Sequence, residues 1–123
     1  MTEPLDRPDI GGLTFHLTPA DVWHRQATAD TYIPEAYPSD GFIHCTDGEA
    51  NLLDVANRYY RSDPRDYVIL DIDLSTVIAP VRYEDEARIY PHIYGPLNPD
   101  AVVGIHRVER DGEGSFVGVT GVR

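Results

Sequence analysis

The six residues Tyr67-Val68-Ile69-Leu70-Asp71-Ile72 constrain this chain more than any other stretch, because only Asp71 interrupts their apolar and aromatic run. A run that continuous has no polar face to offer water, so it predicts a well-buried strand at the centre of a sheet. A polar turn around Pro64, residues 62–66, introduces it. The rest of the chain must supply the layers that cover it.

Leu13-Thr14-Phe15-His16-Leu17 alternates apolar and polar residues, which predicts a short strand with His16 on the face of Thr14 and not of Phe15. Thr18, Pro19 and Asp21 supply an N-cap, a proline for the first helical position and an early acid, so a helix is expected to run to about Ala27, anchored by Val22 and Trp23. Residues 30–40 break regular structure and bring Tyr32 and Tyr37 into one loop. Gly41-Phe42-Ile43-His44-Cys45 reads as a compact strand. Thr46 with Glu49 forms a capping box, opening a helix to about Arg61 with Leu52, Val55, Ala56 and Tyr59 on its inner face. Val81-Arg82-Tyr83-Glu84 is a further strand, and residues 101–108 and 116–122 form a terminal hairpin around Asp111-Gly112-Glu113-Gly114.

Strand, helix, strand, helix and then mostly strands predicts an α+β fold: a small mixed, mostly antiparallel sheet with two main helices. At 123 residues the chain can bury one core without disulfides or metal, so one domain is expected over residues 13–123, after a mobile lead-in at 1–12 that lacks apolar periodicity. The acids and prolines of the first residues are not those of a secretory signal, and no run could span a bilayer, so a cytoplasmic location away from membranes is expected.

A formal charge of −11 opposes binding to a long phosphate backbone, which excludes bulk nucleic acid as a partner. A small-molecule ligand is the expected partner, since a few arginines such as Arg82 and Arg88 can hold one phosphate whatever the net charge. The chain has no lysine, which excludes Schiff-base chemistry and a Walker-type phosphate loop. Its single cysteine, Cys45, excludes an internal disulfide and a cysteine-based zinc site. As Cys45 follows His44 in a strand, its thiol is expected to face away from that imidazole. No segment has a surplus apolar face that would mark an oligomer.

The residues that could carry chemistry are histidines. His16-Leu17-Thr18 and His44-Cys45-Thr46 each put a histidine near a strand end and a threonine two residues on, so both imidazoles are expected at one rim of the sheet, able to move a proton or hold a ribose hydroxyl. Pro91-His92-Ile93-Tyr94-Gly95-Pro96 restrains His92 on both sides. His16, His44 and His92 are the candidate catalytic residues. Thr18, Tyr32, Thr46, Glu84 and Tyr94 are the candidate ligand contacts, the tyrosines as a stacking wall with Tyr37 and Glu84 as the acid, with Asp71 and Asp73 next. His24 and His106 are read as surface or structural residues. The three candidate histidines lie 28 and 48 residues apart, unlike the short repeats of most metal sites, so no metal is expected.

Gly41-Phe42-Ile43-His44-Cys45-Thr46, Tyr83-Glu84 and Pro91-His92-Ile93-Tyr94-Gly95-Pro96-Leu97 resemble the small bacterial family called domain of unknown function 952, over about residues 15–107 and including Trp23 and Asn57. That family looks like a compact relative of the ADP-ribosyltransferase-like fold, whose split sheet clamps NAD. The resemblance implies NAD as substrate, with His16 on the nicotinamide ribose and His44 near the nicotinamide. It leaves the position of a catalytic glutamate without a match, since the corresponding segment here holds His92 to Tyr94. Two other readings stand beside it: a phosphoesterase using the paired His-x-Thr motifs, and a non-catalytic binding module.

Overall fold

The computed structural model describes residues 12–120. In chain order these give β1 (Leu13–Pro19), α1 (Ala20–His24), α2 (Tyr37–Asp40), β2 (Ile43–His44), α3 (Glu49–Tyr59), β3 (Tyr67–Asp73), β4 (Val81–Tyr83), β5 (Pro91–Ile93), β6 (Val102–Arg110) and β7 (Phe116–Thr120), with single 3-10 turns at Leu74–Thr76 and Pro99–Ala101. The chain is α+β, as its element order predicts. The expected lead-in, apart from Gly12, and the last residues of the expected hairpin lie outside the described residues.

The strands form two sheets, of order β1-β3-β6-β7 and β2-β5-β4, and every strand pairing among the described residues is antiparallel, where a mixed sheet was expected. Among the described residues a single two-hydrogen-bond bridge joins them: Phe15 N–H donates to Thr46 O at 3.0 Å, and Thr46 N–H to Phe15 O at 2.8 Å. Beyond that bridge β1 and β2 part, and the sheet is split.

The strand that the apolar run predicted is an inner strand, buried along its length up to Asp73. On one face Val68, Leu70 and Ile72 meet Trp23, Tyr32, Ile43, Ile93 and Leu97, so the small sheet and the Tyr32 segment cover that side. On the other, Tyr67 and Phe116 meet Ala56, flanked by Leu17, Leu53, Tyr60 and Val108, so α3 covers that side. Each buried Ile or Leu of β3 contributes on the order of 2 kcal/mol. Two covering layers explain why β3 has no polar face.

Both expected helix caps are corrected. Thr18 lies in β1, which runs through Pro19, and α1 ends at His24, well short of Ala27. The Thr18 hydroxyl is buried against Tyr32 instead of facing a helix terminus. Thr46 does not cap α3 either; it pairs with Phe15, and Gly48, at φ 90°, makes the entry that a side chain would strain. Tyr59, expected on the inner face, is 66% exposed, and Leu53 and Tyr60 pack there in its place. The loop at 30–40 contains α2, and Pro91-His92-Ile93 is the middle strand of the small sheet.

Candidate functional site

The small sheet builds the site. His44 of β2 pairs directly with His92 of β5, and His92 with Arg82 of β4, so the three side chains form a row across the sheet. Phe42, two residues before His44, joins that row. Its ring stacks on His92 at 4.0 Å and 15° and lies 4.6 Å from the His44 ring, while the two imidazole centroids are 5.6 Å apart. Tyr94 continues the surface at 5.3 Å from Phe42, with the Arg82 guanidinium 5.9 Å over its ring.

Each histidine is tied to a carboxylate through one ring nitrogen. His44 Nε2 donates to Asp40 Oδ2 at 2.8 Å, because Gly41 in the left-handed region (φ 80°) turns α2 back over the strand. His92 Nδ1 donates to Glu84 Oε1 at 3.1 Å, and the Tyr94 hydroxyl donates to the same oxygen. Those hydrogen bonds, Tyr94 first and His92 second, hold the Glu84 carboxyl below its ordinary value. A carboxylate accepts a hydrogen bond from one N–H, holding the proton on that nitrogen and leaving the other nitrogen of a neutral ring as a lone pair. His44 therefore presents Nδ1 and His92 presents Nε2 as acceptors when the rings are neutral.

Both rings line a groove of about 670 Å³ between the small sheet and α3, with Asp40, Thr46, Arg58, Tyr60, Asp85 and Tyr90 among its other walls. That volume lies in the range of small-ligand sites. Asp85 is formed for structure: burial opposes its charge, but the N–H groups of Ile89 and Tyr90 outweigh this and bring its carboxyl below the ordinary value. A smaller cavity of about 160 Å³ adjoins the groove through His44, Thr46, Val55 and Tyr60 and reaches His16 and Thr18 at the split.

His16 is placed differently from the expectation. It is 4% exposed and faces the core, with Nδ1 2.7 Å from the His44 carbonyl oxygen and Nε2 2.8 Å from the Tyr32 hydroxyl. Burial drives its pKa down to about 4, against the opposing effect of the His44 carbonyl, so the ring is neutral near pH 7. A carbonyl only accepts, so the proton sits on Nδ1, Nε2 accepts from the Tyr32 hydroxyl, and the Thr18 hydroxyl, 2.9 Å away, donates to the phenol oxygen. Both nitrogens are committed to the protein. His16 and His44 meet through a backbone atom, not as two rings on one rim.

Of the expected site residues, the fold brings His44, His92, Glu84 and Tyr94 together. Thr46 reaches the groove wall while its backbone serves the bridge. Tyr32, expected on a stacking wall, is corrected to a core residue: it is fully buried, with its ring edge-on to Trp23 at 5.4 Å and its backbone bridged to Leu97. Thr18 is likewise internal. Asp71 is held by His106, a buried residue, at 2.7 Å, and Asp73 caps the Leu74–Thr76 turn, so neither acid serves the groove. Cys45 is buried, and burial pushes its thiol well above the ordinary value. Asp40, Phe42, Arg58 and Tyr90 were missed; only Phe42 left a signal, sharing a strand face with His44 two residues on. Among the described residues, no group of three or more His, Cys, Asp or Glu could hold a metal ion, and no helix is long and apolar enough to cross a membrane.

A small split-sheet α+β protein with a histidine-lined groove is the class that this architecture defines. The family described as "Protein of unknown function (DUF952)" matches residues 17–105, and the chain belongs to it. In fold it is similar to protein CC0527 from Caulobacter crescentus: the crystal structure superposes with a TM-score of 0.73 at 19% identity, covering 85% of this chain and 93% of that one. The solution NMR structure of CC0527 gives a TM-score of 0.67 at 20% identity, covering 83% and 89%. No functionally curated protein matches the chain significantly.

Proposed function

We propose that the groove between the small sheet and α3 binds a small molecule with a planar ring joined to a hydroxylated sugar, with NAD or ADP-ribose as the first candidates, and that His44 and His92 are its acid–base pair. The observation that carries this reading is the pairing of those two histidines across β2 and β5, each tied to its own carboxylate and each with one nitrogen open. The Tyr60 and Tyr90 rings on the groove walls favour a flat ligand, and the divergence of β1 from β2 after the Phe15–Thr46 bridge resembles a split sheet that clamps a dinucleotide.

For transfer from NAD, the bond from the ribose C1 to the nicotinamide nitrogen breaks and the ribose becomes cationic. Asp40 on the groove wall stabilises that charge, and an open imidazole nitrogen takes the proton of the hydroxyl whose oxygen bonds to C1. His16, its nitrogens both engaged, acts through the backbone of His44 instead of touching the ribose.

A phosphoesterase is the second reading, favoured by Arg58, which lines the same groove from α3 with its guanidinium paired to Asp54 at 2.7 Å. It would use those two histidines rather than two His-x-Thr motifs, because His16 and Thr18 are buried and bonded to Tyr32. Calorimetric titration with NAD, ADP-ribose and a ribose phosphate, run with the wild type and a folded His44→Ala/His92→Ala variant, separates the readings. Binding of NAD or ADP-ribose that the variant loses supports the first, and binding of the ribose phosphate alone supports the second. Binding that the variant retains, or none at all, overturns the assignment of this groove.

A further inference from the structure

We propose that His16 is a positioning residue, an imidazole wedge that ends the ladder between β1 and β2 and fixes the backbone of His44 so that the His44 ring faces the groove. The inference deepens the reading of His44 as a groove residue and rests on it.

The register of the bridge carries the argument. Phe15 and Thr46 exchange both of their backbone hydrogen bonds, so in an antiparallel ladder the next hydrogen-bonded pair is Leu17 with His44. An unbroken ladder would give the His44 carbonyl to the Leu17 N–H. In this fold His44 O accepts from His16 Nδ1 at 2.7 Å, and a ring stands where the strands would have met. The carbonyl keeps a donor, so the sheet can open without leaving it unpaired in a partly buried place.

The ring itself is held from behind. Its Nε2 meets the Tyr32 hydroxyl at 2.8 Å, and that oxygen lies 2.9 Å from Thr18 Oγ1, so residues 16 and 18 of β1 grip the same phenol. Tyr32 is fixed in turn by two backbone bonds with Leu97, at 2.8 and 2.9 Å. All three side chains are at most 4% exposed. Filling space would need only apolar residues; a polar chain at this depth is kept because each member satisfies the next, and it ends on a carbonyl that the split would otherwise strand.

The test begins with the wild-type full chain, by long-range proton–nitrogen NMR of the imidazoles. The expected result is His16 as the Nδ1–H tautomer near neutral pH; the Nε2–H tautomer would overturn the proposal, since Nδ1 would then carry no proton for His44 O. Next, His16→Leu removes the donor, and His16→Asn, whose amide nitrogen overlays Nδ1, restores it. In His16→Leu the His44 ring-nitrogen resonances are expected to move and its single tautomer to become a mixture, with return towards wild type in His16→Asn. His44 resonances that are the same in both variants overturn the wedge. Affinity for ADP-ribose is read alongside, with a loss of about tenfold expected in His16→Leu only. If the wild type binds no such ligand, the ligand reading fails while the NMR comparison still decides the wedge. Should His16→Leu not fold, the wild-type tautomer decides it.

Discussion

His44 and His92 face each other directly across the β2–β5 ladder, their ring centroids 5.6 Å apart, each tied through one nitrogen to a different carboxylate. Two imidazoles this close, with separate orienting partners, can present two acceptor nitrogens to the same ligand when neutral, and a ring that takes up a proton there becomes a donor.

Removing either ring separates function from stability. His44 has a side-chain exposure of 56%, so His44→Ala is expected to change unfolding free energy by less than about 1 kcal/mol. His92 is half-buried on Phe42, and His92→Ala is expected to cost about 1 kcal/mol from the lost stack. Either change is expected to weaken NAD or ADP-ribose binding about tenfold or more, measured by calorimetry beside a urea titration. A large stability loss with unchanged affinity would make these histidines structural.

The sequence carried the strand at the centre of the fold because β3 has apolar residues on both faces, and periodicity reports burial directly. It carried His44, His92, Glu84 and Tyr94 because strand alternation and a proline-restrained segment mark side chains held at fixed angles. It misplaced His16, Thr18 and Tyr32 for one reason: on β1 the polar residues, not Phe15 and Leu17, face the small sheet and the Tyr32 segment. A buried polar chain reads as a solvent face when only one sheet is imagined. Asp40 was invisible because its approach to His44 depends on the left-handed turn at Gly41, a tertiary fact without a period.

His16 makes stability depend on pH. Its pKa is about 4 in the folded chain against the model-peptide value of 6.5, so between those values the unfolded chain binds a proton that the folded chain does not. Stability therefore rises with pH through that window and is lost as pH falls from about 6.5 to about 4, by about 3 kcal/mol in full. Urea unfolding at pH 7 and pH 5 is expected to differ by about 2 kcal/mol from this group. The same comparison in His16→Asn is expected to lose that difference, whatever the other histidines contribute. An equal pH effect in the variant would move the cause elsewhere.

The Asp71–His106 pair is a structural load on the other side of the molecule's chemistry. The two side chains meet at 2.7 Å with 4% and 3% exposure, and Asp71 Oδ1 and His106 Nδ1 are buried without hydrogen-bond partners. Breaking such a pair leaves a buried charge alone, whereas replacing both members removes the demand. His106→Leu is expected to destabilise by about 3 kcal/mol, and Asp71→Val with His106→Leu to recover most of that. Additive losses in the double variant, read by urea unfolding, would refute the coupling. Neither residue lines the groove, so ligand affinity is expected to stay at the wild-type value.

Glu84 decides which nitrogen of His92 meets the ligand. One carboxylate oxygen accepts from both His92 Nδ1 and the Tyr94 hydroxyl, so the charge of Glu84 fixes a proton on Nδ1 and leaves Nε2 open. Glu84→Gln keeps the size of the side chain and removes the charge, and an amide can turn its NH₂ towards the ring as readily as its oxygen. His92 is then expected to lose its single tautomer, visible as averaged nitrogen resonances, with ligand affinity reduced about tenfold and the unfolding free energy changed by less than about 1 kcal/mol. Tyr94→Phe removes only the second donor and is expected to keep the Nδ1–H tautomer. If His92 remains a single tautomer in Glu84→Gln, its orientation comes from the stack on Phe42, and Glu84 is an ordinary surface acid.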